Sequence, residues 1–539
     1  MEKLGTAKKA VCALLATAMM LSAAACSGGS GAPSAAAGTA AASSGTAAGA
    51  ASAAPKATDK IVVARAQDSI NLDPVMTSDN VDIWVMNLML ESLVKSSNDG
   101  KTVEPCLAEK WDISKDNLTY TFHLRKGVKF SDGTPVTGDD WVYSLKRVRD
   151  TKEGAWGSML ENVTDIQSPD DSTVVIKVKQ PTAALLSDLS LFACGVMPKK
   201  YVEQAGTKGV STKPVGTGPY MLKEWDKGQK MIFVANPNYW QAGKPVTKEI
   251  DFNLVADDNT RIMQLESGQI DIATDIPFNR IKELQSVSGV NMQKVPSTEA
   301  DFIALNNKND KLKNPLVRQA LAYATNRQDI INAVFFGNAT AANTFISPSA
   351  PHYKSDIPSA DYNVDKAKQL LQQAGESNLS LTIKINSGST QDLQLATMLK
   401  AQWQKAGVTL NIVQMDNSAR SADKNAFKYD VTPALLTSDI SDTSELMELI
   451  CIASMTQSMH LGWNGDKQQA AEKLVKQAGA DMDESKRKDL YGQALTLVNQ
   501  DMPMIPLYYV PFPVAMRSNV QGFVQTPLGN YRFENLSKS

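Results

Sequence analysis

A strand, a helix and a second strand follow one another within residues 381–413, and this pattern is the strongest constraint on the fold. Residues 381–385 (LTIKI) are typical of a buried strand, and residues 408–413 (VTLNIV) predict a return strand. Between them, Leu395, Met398, Leu399 and Trp403 recur at helical spacing. A strand–helix–strand crossover favours parallel pairing with helices on the faces of the sheet. The sequence therefore predicts a mixed α/β protein.

Two further segments support this mixture. Residues 118–124 (LTYTFHL) alternate between apolar and polar side chains, which predicts a strand with His123 on its solvent-facing side. Thr137 and Asp140 have the spacing of a capping box at the start of a helix. Asn314 before Pro315 predicts another helix start, and the apolar periodicity that follows indicates a helical run as far as Gly337.

Composition excludes several classes of function. The chain has 539 residues, of which 43% are hydrophobic and 21% charged, as expected for globular domains in more than one lobe. Its 55 basic and 57 acidic residues nearly balance, which argues against a nucleic-acid partner because such binding needs clustered positive charge. Only three histidines are present, at positions 123, 352 and 460, which disfavours a histidine-built metal centre.

The first 25 residues predict an export signal. Lysines at positions 3, 8 and 9 precede a short apolar run, and small residues then lead into Cys26. The sequence LSAAAC at 21–26 resembles the lipobox of bacterial lipoproteins, although Ala23 stands where that motif prefers leucine. We expect lipidation of Cys26, with ordinary secretion and cleavage after Ala25 as the alternative.

Residues 26–59 are predicted to be a lipidated cysteine followed by a flexible linker. They are almost entirely Ala, Gly, Ser, Thr and Pro, a composition that cannot bury enough apolar surface to offset the entropy of ordering. A lipid anchor and a tether predict a protein held at the extracytoplasmic face of the cell membrane. The length of the tether suggests a cell wall to cross, and hence a Gram-positive cell.

Three cysteines remain after the signal and Cys26 are set aside. In an exported protein, Cys106 and Cys194 could form a disulfide. The other interpretation is that Cys106, Cys194 and Cys451 are all buried, unreactive thiols. The spacing does not decide between them.

Sequence motifs of enzymes are missing. The chain has no H-E-x-x-H, no C-x-x-C and no P-loop. The G-x-G of residues 216–218 lacks the third glycine, and Pro219 follows where a dinucleotide-binding fold begins its helix. We therefore predict a non-enzymatic binding protein without a cofactor or a bound metal.

A resemblance to a known family begins at residue 91. The sequence LTYTFHLRKGVKFSDGTP at 118–135 and DDWVYSLKR at 139–147 closely resemble the family 5 extracytoplasmic solute-binding proteins, the oligopeptide, dipeptide and nickel receptors of ABC importers. Further matching blocks cover essentially the whole chain after residue 60: PVGTGPY at 214–220, NPNYW at 236–240, GQIDIA at 268–273, VRQALAYA at 317–324 and MIPL at 504–507.

This resemblance implies a two-lobed clamshell of the periplasmic-binding-protein type II class, with the extra domain of peptide-binding members. Lobe I is expected from residues 60–90, 195–275 and 505–539. The extra domain II is expected at 91–194, and lobe III at 276–504. Ligand would be held between lobes I and III.

The resemblance also implies a binding loop. Peptide-binding members hold the ligand α-amino group with an aspartate in a loop that reads roughly Gly-Trp-x-x-Asp-Tyr-x-Asp/Glu-Pro. The counterpart here is LLTSDISDT at 435–443, which places Asp439 on the anchoring aspartate and Asp442 on the following acid. Four positions depart from the motif: Leu435, Leu436, Ile440 and Thr443. Asp439 is therefore expected to anchor the ligand, the alternative being an ordinary turn aspartate.

Other candidate ligand contacts are weaker. The backbone at Leu435 and Thr437 would lie along the ligand, and Ser78 and Asn80 occupy a loop where family members contact peptide. Trp156 falls near an aromatic pocket position, although a single tryptophan is more often part of the packing.

The expected function is capture of short peptides for the permease and ATPase subunits of an ABC importer, by a monomeric protein. The alternatives are another solute, such as a nickel complex, an opine or a glycoside, and an exported chaperone or enzyme.

Overall fold

The structure is a computed structural model that describes residues 59–539, apart from the side chains of residues 457 and 458. The predictions for the signal, Cys26 and the linker lie outside the described residues. The strands are β1 Lys60–Arg65, β2 Val94–Ser96, β3 Val103–Pro105, β4 Ala108–Ile113, β5 Thr119–Leu124, β6 Val163–Asp170, β7 Thr173–Val178, β8 Tyr220–Asp226, β9 Lys230–Ala235, β10 Glu249–Leu254, β11 Ile272–Ala273, β12 Val290–Val295, β13 Ala300–Leu305, β14 Thr340–Ala341, β15 Ser380–Asn386, β16 Thr409–Met415, β17 Val431–Leu436, β18 Met504–Tyr509, β19 Phe512–Arg517, β20 Val520–Gln521 and β21 Ser537–Lys538.

The α-helices alternate with these strands. They are α1 Asn80–Met86, α2 Gly138–Asp150, α3 Leu185–Asp188, α4 Lys199–Val210, α5 Asp258–Ser267, α6 Ile281–Leu284, α7 Pro315–Tyr323, α8 Arg327–Val334, α9 Val364–Gln373, α10 Thr390–Lys405, α11 Asn417–Asn425, α12 Ser444–Cys451, α13 Ala453–Ser458, α14 Asp466–Ala480 and α15 Glu484–Asp501. Short 3₁₀ turns lie at Gly157–Leu160, Phe192–Cys194 and Phe278–Arg280.

The first large sheet has seven strands in the order β12-β19-β11-β1-β10-β9-β8. Its central strand β1 pairs in parallel with β10 and β11, and the remaining pairs are antiparallel. The sheet combines the start of the described chain, a middle section and β19 near the carboxyl end. One lobe is therefore built from segments that are distant in sequence.

The second large sheet has six strands in the order β14-β18-β13-β17-β15-β16. Strands β15 and β16 pair in parallel over their whole length, and α10 connects them. This confirms the predicted crossover. The apolar stripe of α10 buries Leu395, Leu399 and Trp403 in the same core as Leu381 and Ile383 of β15.

The chain changes from one large sheet to the other at two places. It passes from β12 to β13 at residues 295–300, and it returns from β18 to β19 at 509–512. The expected boundaries between lobes I and III at 275 and 505 therefore move to 295–300 and 509–512. The reason is pairing: β12 bonds to β19 along six residues, and β18 bonds to β13 in the second sheet. The rest of the division into lobes stays a prediction.

A smaller antiparallel sheet, in the order β4-β5-β7-β6, lies in the segment expected to form the extra domain. Tyr120 and Phe122 of β5 are buried as its alternation predicts. His123 is partly exposed, and its Nε2 lies 2.7 Å from Oδ2 of Asp112. The capping box at the start of α2 is also present, because Thr137 accepts from the Asp140 N–H while the Asp140 carboxylate accepts from the Thr137 N–H.

The predicted helical run from Pro315 to Gly337 is divided in two. Asn314 caps α7 as expected, accepting from the Leu316 N–H. The chain then leaves helical geometry, and Asn326 caps α8 by accepting from the Asp329 N–H. The apolar periodicity continues across the break, so it predicted a single helix. The second asparagine, Asn326, instead caps a separate helix.

The glycines at 216 and 218 have a packing role. A Cβ at Gly216 would lie 2.4 Å from the Met89 carbonyl oxygen, and one at Gly218 would lie 2.6 Å from that of Leu88. Only glycine permits this approach of two backbones.

The three cysteines of the described chain are free and buried, at positions 106, 194 and 451. Of the two interpretations, the unreactive thiols are confirmed and the Cys106–Cys194 disulfide is not formed. Burial raises the pKa of each thiol.

Candidate functional site

One cavity brings together four of the predicted ligand contacts. It has a volume of about 410 Å³, and Ser78, Asn80, Leu435 and Thr437 all contribute to its wall. The first two lie at the start of α1, and the other two lie at the end of β17. The cavity thus lies between the segment that follows β1 of the seven-stranded sheet and the end of a strand of the six-stranded sheet.

The loop that carries Ser78 is organised by Asp82. This buried carboxylate accepts from the backbone N–H groups of Ile70 at 2.7 Å and Asn71 at 3.1 Å, and from the Thr77 hydroxyl at 2.8 Å. Burial raises the pKa of Asp82, although these hydrogen bonds oppose the rise. The sequence analysis missed this residue, whose partners lie up to twelve positions away.

Trp156 supports the same loop from beneath. Its side chain is 7% exposed, and its Nε1 donates to the Thr77 carbonyl oxygen at 2.8 Å. Its ring also packs edge-on against Phe192, with centroids 5.3 Å apart. Trp156 is thus packed against this loop and bonded to the residue that precedes Ser78, and its contact with a ligand stays a prediction.

Asp439 lies two residues beyond the cavity wall and is paired with a second carboxyl, that of Glu445. The Asp439 N–H and the Ser438 hydroxyl both donate to Glu445 Oε2 at 2.9 Å, and the two carboxyls are hydrogen-bonded to each other. Burial raises the pKa of Glu445 to about 7, and burial together with the Glu445 charge raises that of Asp439 well above its usual range. Two carboxyls in this position hold a proton between them unless a cation replaces it. Sequence reasoning missed Glu445.

Asp442 has a different role. Its Oδ1 accepts from the Ser444 N–H at 2.8 Å and from Arg487 Nη2 at 2.7 Å, and the residue is buried. Because Arg487 neutralises the charge of the Asp442 carboxylate within the protein, Asp442 stabilises the loop.

The loop that carries Asp439 is also hydrogen-bonded to the chain crossover. The Ser438 N–H donates to the Thr298 hydroxyl at 3.0 Å, and the Thr298 N–H donates to the Pro527 carbonyl oxygen at 2.9 Å. Thr298 lies between β12 and β13, where the chain passes from one large sheet to the other. The loop that carries Asp439 is therefore hydrogen-bonded to one of the two crossovers between the large sheets.

Within residues 59–539, no group of three or more histidine, cysteine, aspartate or glutamate side chains is placed to hold a metal ion. Over the same part of the chain, no helix combines the length and apolarity needed to cross a membrane.

Comparisons with known proteins agree with this architecture. The model of "Bacterial extracellular solute-binding proteins, family 5 Middle" matches residues 102–458. The dipeptide-binding protein of Escherichia coli (strain K12) is 28% identical over 464 residues, covering 81% of this chain and 86% of that protein. Heme-binding protein A of Haemophilus influenzae is 27% identical over 519 residues, covering 90% and 93%.

A solved structure extends the similarity. The ABC transporter-associated periplasmic binding protein DppA from Helicobacter pylori, in complex with the peptide STSA, is 27% identical with a TM-score of 0.78. The match covers 89% of this chain and 98% of that one. These similarities confirm the predicted two-lobed, mixed α/β substrate-binding fold.

Proposed function

Since this chain belongs to the bacterial extracellular solute-binding proteins of family 5, we propose that it captures short peptides in the cavity beside Asp439 and delivers them to an ABC-type importer. The observation that carries the proposal is the Asp439–Glu445 carboxyl pair at the end of the cavity-lining strand. A peptide amino terminus is an ammonium group, which can replace the shared proton and hydrogen-bond to both carboxylates.

The backbone of β17 supports a peptide ligand. On one side β17 pairs with β13 along its whole length, but on the other it pairs with β15 only through Val431. Beyond that point, among the described residues, Arg420 Nη1 donates to the Pro433 carbonyl oxygen at 3.1 Å. The edge of the backbone at 435–437 that faces away from β13 has no strand partner among the described residues and is open to an extended ligand, which is a way to bind many peptides without reading their side chains.

The arrangement also suggests how capture is signalled. A ligand that contacts both Ser78 and Thr437 favours the closed state over the open one, and the contact between Ser438 and Thr298 links the loop to the crossover. The permease and ATPase subunits would then receive the closed, loaded form. Lipidation at Cys26 would keep the monomeric protein at the extracytoplasmic membrane face, and no nucleic acid or cofactor takes part.

Isothermal titration calorimetry with matched peptides tests the proposal. Wild-type protein should bind di- to tetrapeptides with a free amino terminus, and N-acetylation should weaken binding about tenfold or more because it removes the charge. Asp439→Asn should abolish this difference, whereas Asp310→Asn, at an exposed position, should preserve it. Equal binding of acetylated and free peptides would overturn the anchor. Co-purification of a metal complex, an opine or a glycoside, with no peptide binding, would overturn the peptide assignment.

A further inference from the structure

The short helix α3 is in contact with the loop that carries Asp439. The Ser187 hydroxyl donates to the Ser441 carbonyl oxygen at 3.1 Å, and both residues are buried. A second bond runs from the Ala183 N–H to the Gly479 carbonyl oxygen at 2.9 Å. In each bond the donor lies in the segment expected to form the extra domain and the acceptor in the segment expected to form lobe III. Opening of the clamshell would separate them.

Apolar packing strengthens the same contact. Ile440 is fully buried and belongs to the apolar core that includes Leu185 and Leu189, on either side of Ser187. Leu436 and Leu446, which flank Ile440 in the chain, belong instead to a core beside the six-stranded sheet. The loop therefore places one side chain in the core of the neighbouring domain.

Acidic groups from the two sides face each other across this contact. Asp188 of α3 is 5% exposed, and the charges of Asp442, Glu445 and Glu448 act on its carboxyl from the opposite side. Asp442 and Glu445 are also buried. On the side of α3, Glu161 adds a negative charge that acts on Glu448. The contact thus closes with acids on both of its surfaces.

Arg487 is the cation that acts on Asp188, but its N–H groups are bonded elsewhere. In the described chain they are accepted by Ala478, Glu484, Asp442 and Tyr491, and none is accepted by Asp188. The titratable groups near Asp188 in its own domain, the Tyr120 phenol and the Cys194 thiol, bring no positive charge. Burying a carboxylate without a bonded cation is costly, so the formed contact favours a neutral Asp188.

We propose that α3 and residues 438–445 form a latch that closes when Asp188 carries a proton, so that the closed state of the protein is favoured as pH falls. The proposal goes beyond peptide capture, because it concerns the balance of open and closed states even without a ligand. Closure takes one proton from solvent, places it on the Asp188 carboxyl and buries it. Opening returns the proton to solvent.

The sign of the pH dependence follows from the two environments. In the closed state, burial and the acids across the contact raise the pKa of Asp188 well above its usual range. In the open state the carboxyl faces water and titrates near its ordinary pKa of about 4. The closed state therefore binds one more proton, and the ratio of closed to open protein falls by up to about tenfold for each pH unit above that value.

Small-angle X-ray scattering of the full, ligand-free chain at pH 5 and pH 8 tests the latch. We expect the radius of gyration of the wild type to be larger at pH 8. Asp188→Asn keeps the size of the side chain without its charge and should stay compact at both pH values. Asp139→Asn, an exposed control on α2, should behave as the wild type. A wild-type radius that does not change with pH would overturn the latch, and so would an equal change in Asp188→Asn.

Peptide affinity provides a second measurement. Because only the closed state holds the ligand tightly, the ratio of the wild-type to the Asp188→Asn dissociation constant should rise with pH, by up to about tenfold per unit. Taking the ratio cancels the titration of the peptide amine, which is the same for both proteins. Ser187→Ala removes a bond but no charge and should weaken binding about equally at both pH values. A ratio that stays constant from pH 5 to pH 8 would contradict the latch. If no peptide binds, the proposed function fails, and the scattering still decides the latch.

Discussion

Arg487 donates from Nη2 to Oδ1 of Asp442 across 2.7 Å, with 1% and 5% of the two side chains exposed. The same region holds the buried Asp188 of α3. The negative charges of Asp442, Glu445 and Glu448 and the positive charge of Arg487 all act on its carboxyl. Burial and the negative charges raise the pKa of Asp188 well above its usual range, while Arg487 opposes the rise. One arginine thus stabilises the loop that carries Asp439.

Replacing that arginine should be costly. Arg487→Met removes the partner of a buried carboxylate, and we expect the free energy of unfolding to fall by about 3–5 kcal/mol. Urea denaturation followed by circular dichroism measures this. Lys313→Met, which breaks an exposed pair with Asp310, is the matched control and should have a much smaller effect. A loss below about 1 kcal/mol for Arg487→Met would contradict the role of the buried pair.

Stability should fall as pH rises from about 4.5 to 7. The pKa of Glu445 is about 7 in the folded protein against an ordinary value of 4.5, so the folded state binds more protons than the unfolded state in this window. Glu445→Gln removes this group's contribution and should flatten the slope, by on the order of 1–3 kcal/mol between pH 5 and 7.5. Thermal unfolding across this pH range provides the measurement. An unchanged slope in the variant would show that Glu445 is already charged in the folded protein over this pH range and would contradict the prediction.

The residues that line the cavity were easier to predict from the sequence than the side chains that contact the loop. Leu435 and Thr437 could be placed because they lie in a local segment with a family counterpart, and they do line the cavity with Ser78 and Asn80. The carboxyl that pairs with Asp439 could not be foreseen, because burial of two acids together depends on how the loop folds back on α12.

The same contrast holds for the fold. The crossover at 381–413 was predictable because a strand, a helix and a strand follow one another in the chain. The position of β12 in the first sheet could not be predicted. Its partner β19 is more than two hundred residues away, and no local pattern indicates that pairing. The two displaced boundaries follow from two such long-range pairings, β12 with β19 and β18 with β13.

The lipid anchor can be tested separately from ligand binding. Cys26→Ser should release the protein from the membrane fraction into the medium, because the thiol that would be acylated is lost. Fractionation of expressing cells with immunoblotting measures the distribution. Peptide affinity of the released protein should be unchanged, since Cys26 precedes the linker. Retention of the Cys26→Ser variant in washed membranes would instead favour an uncleaved signal as the anchor.

Trp156 connects packing to affinity and allows the two to be separated. Trp156→Phe keeps the aromatic contact with Phe192 but removes the Nε1 bond to the Thr77 carbonyl, so we expect a loss of stability of about 1 kcal/mol. The loop that carries Ser78 would then be less well held, and peptide affinity should fall several-fold. Trp403→Phe, which removes a buried indole bond to the Thr325 hydroxyl, is the control and should leave affinity unchanged, because neither residue lines the cavity. If Trp156→Phe lost stability but bound peptide as tightly as wild type, the Thr77–Ser78 loop would not be part of the ligand site. If affinity fell with no loss of stability, Trp156 would contact the ligand itself, as the aromatic-pocket alternative holds.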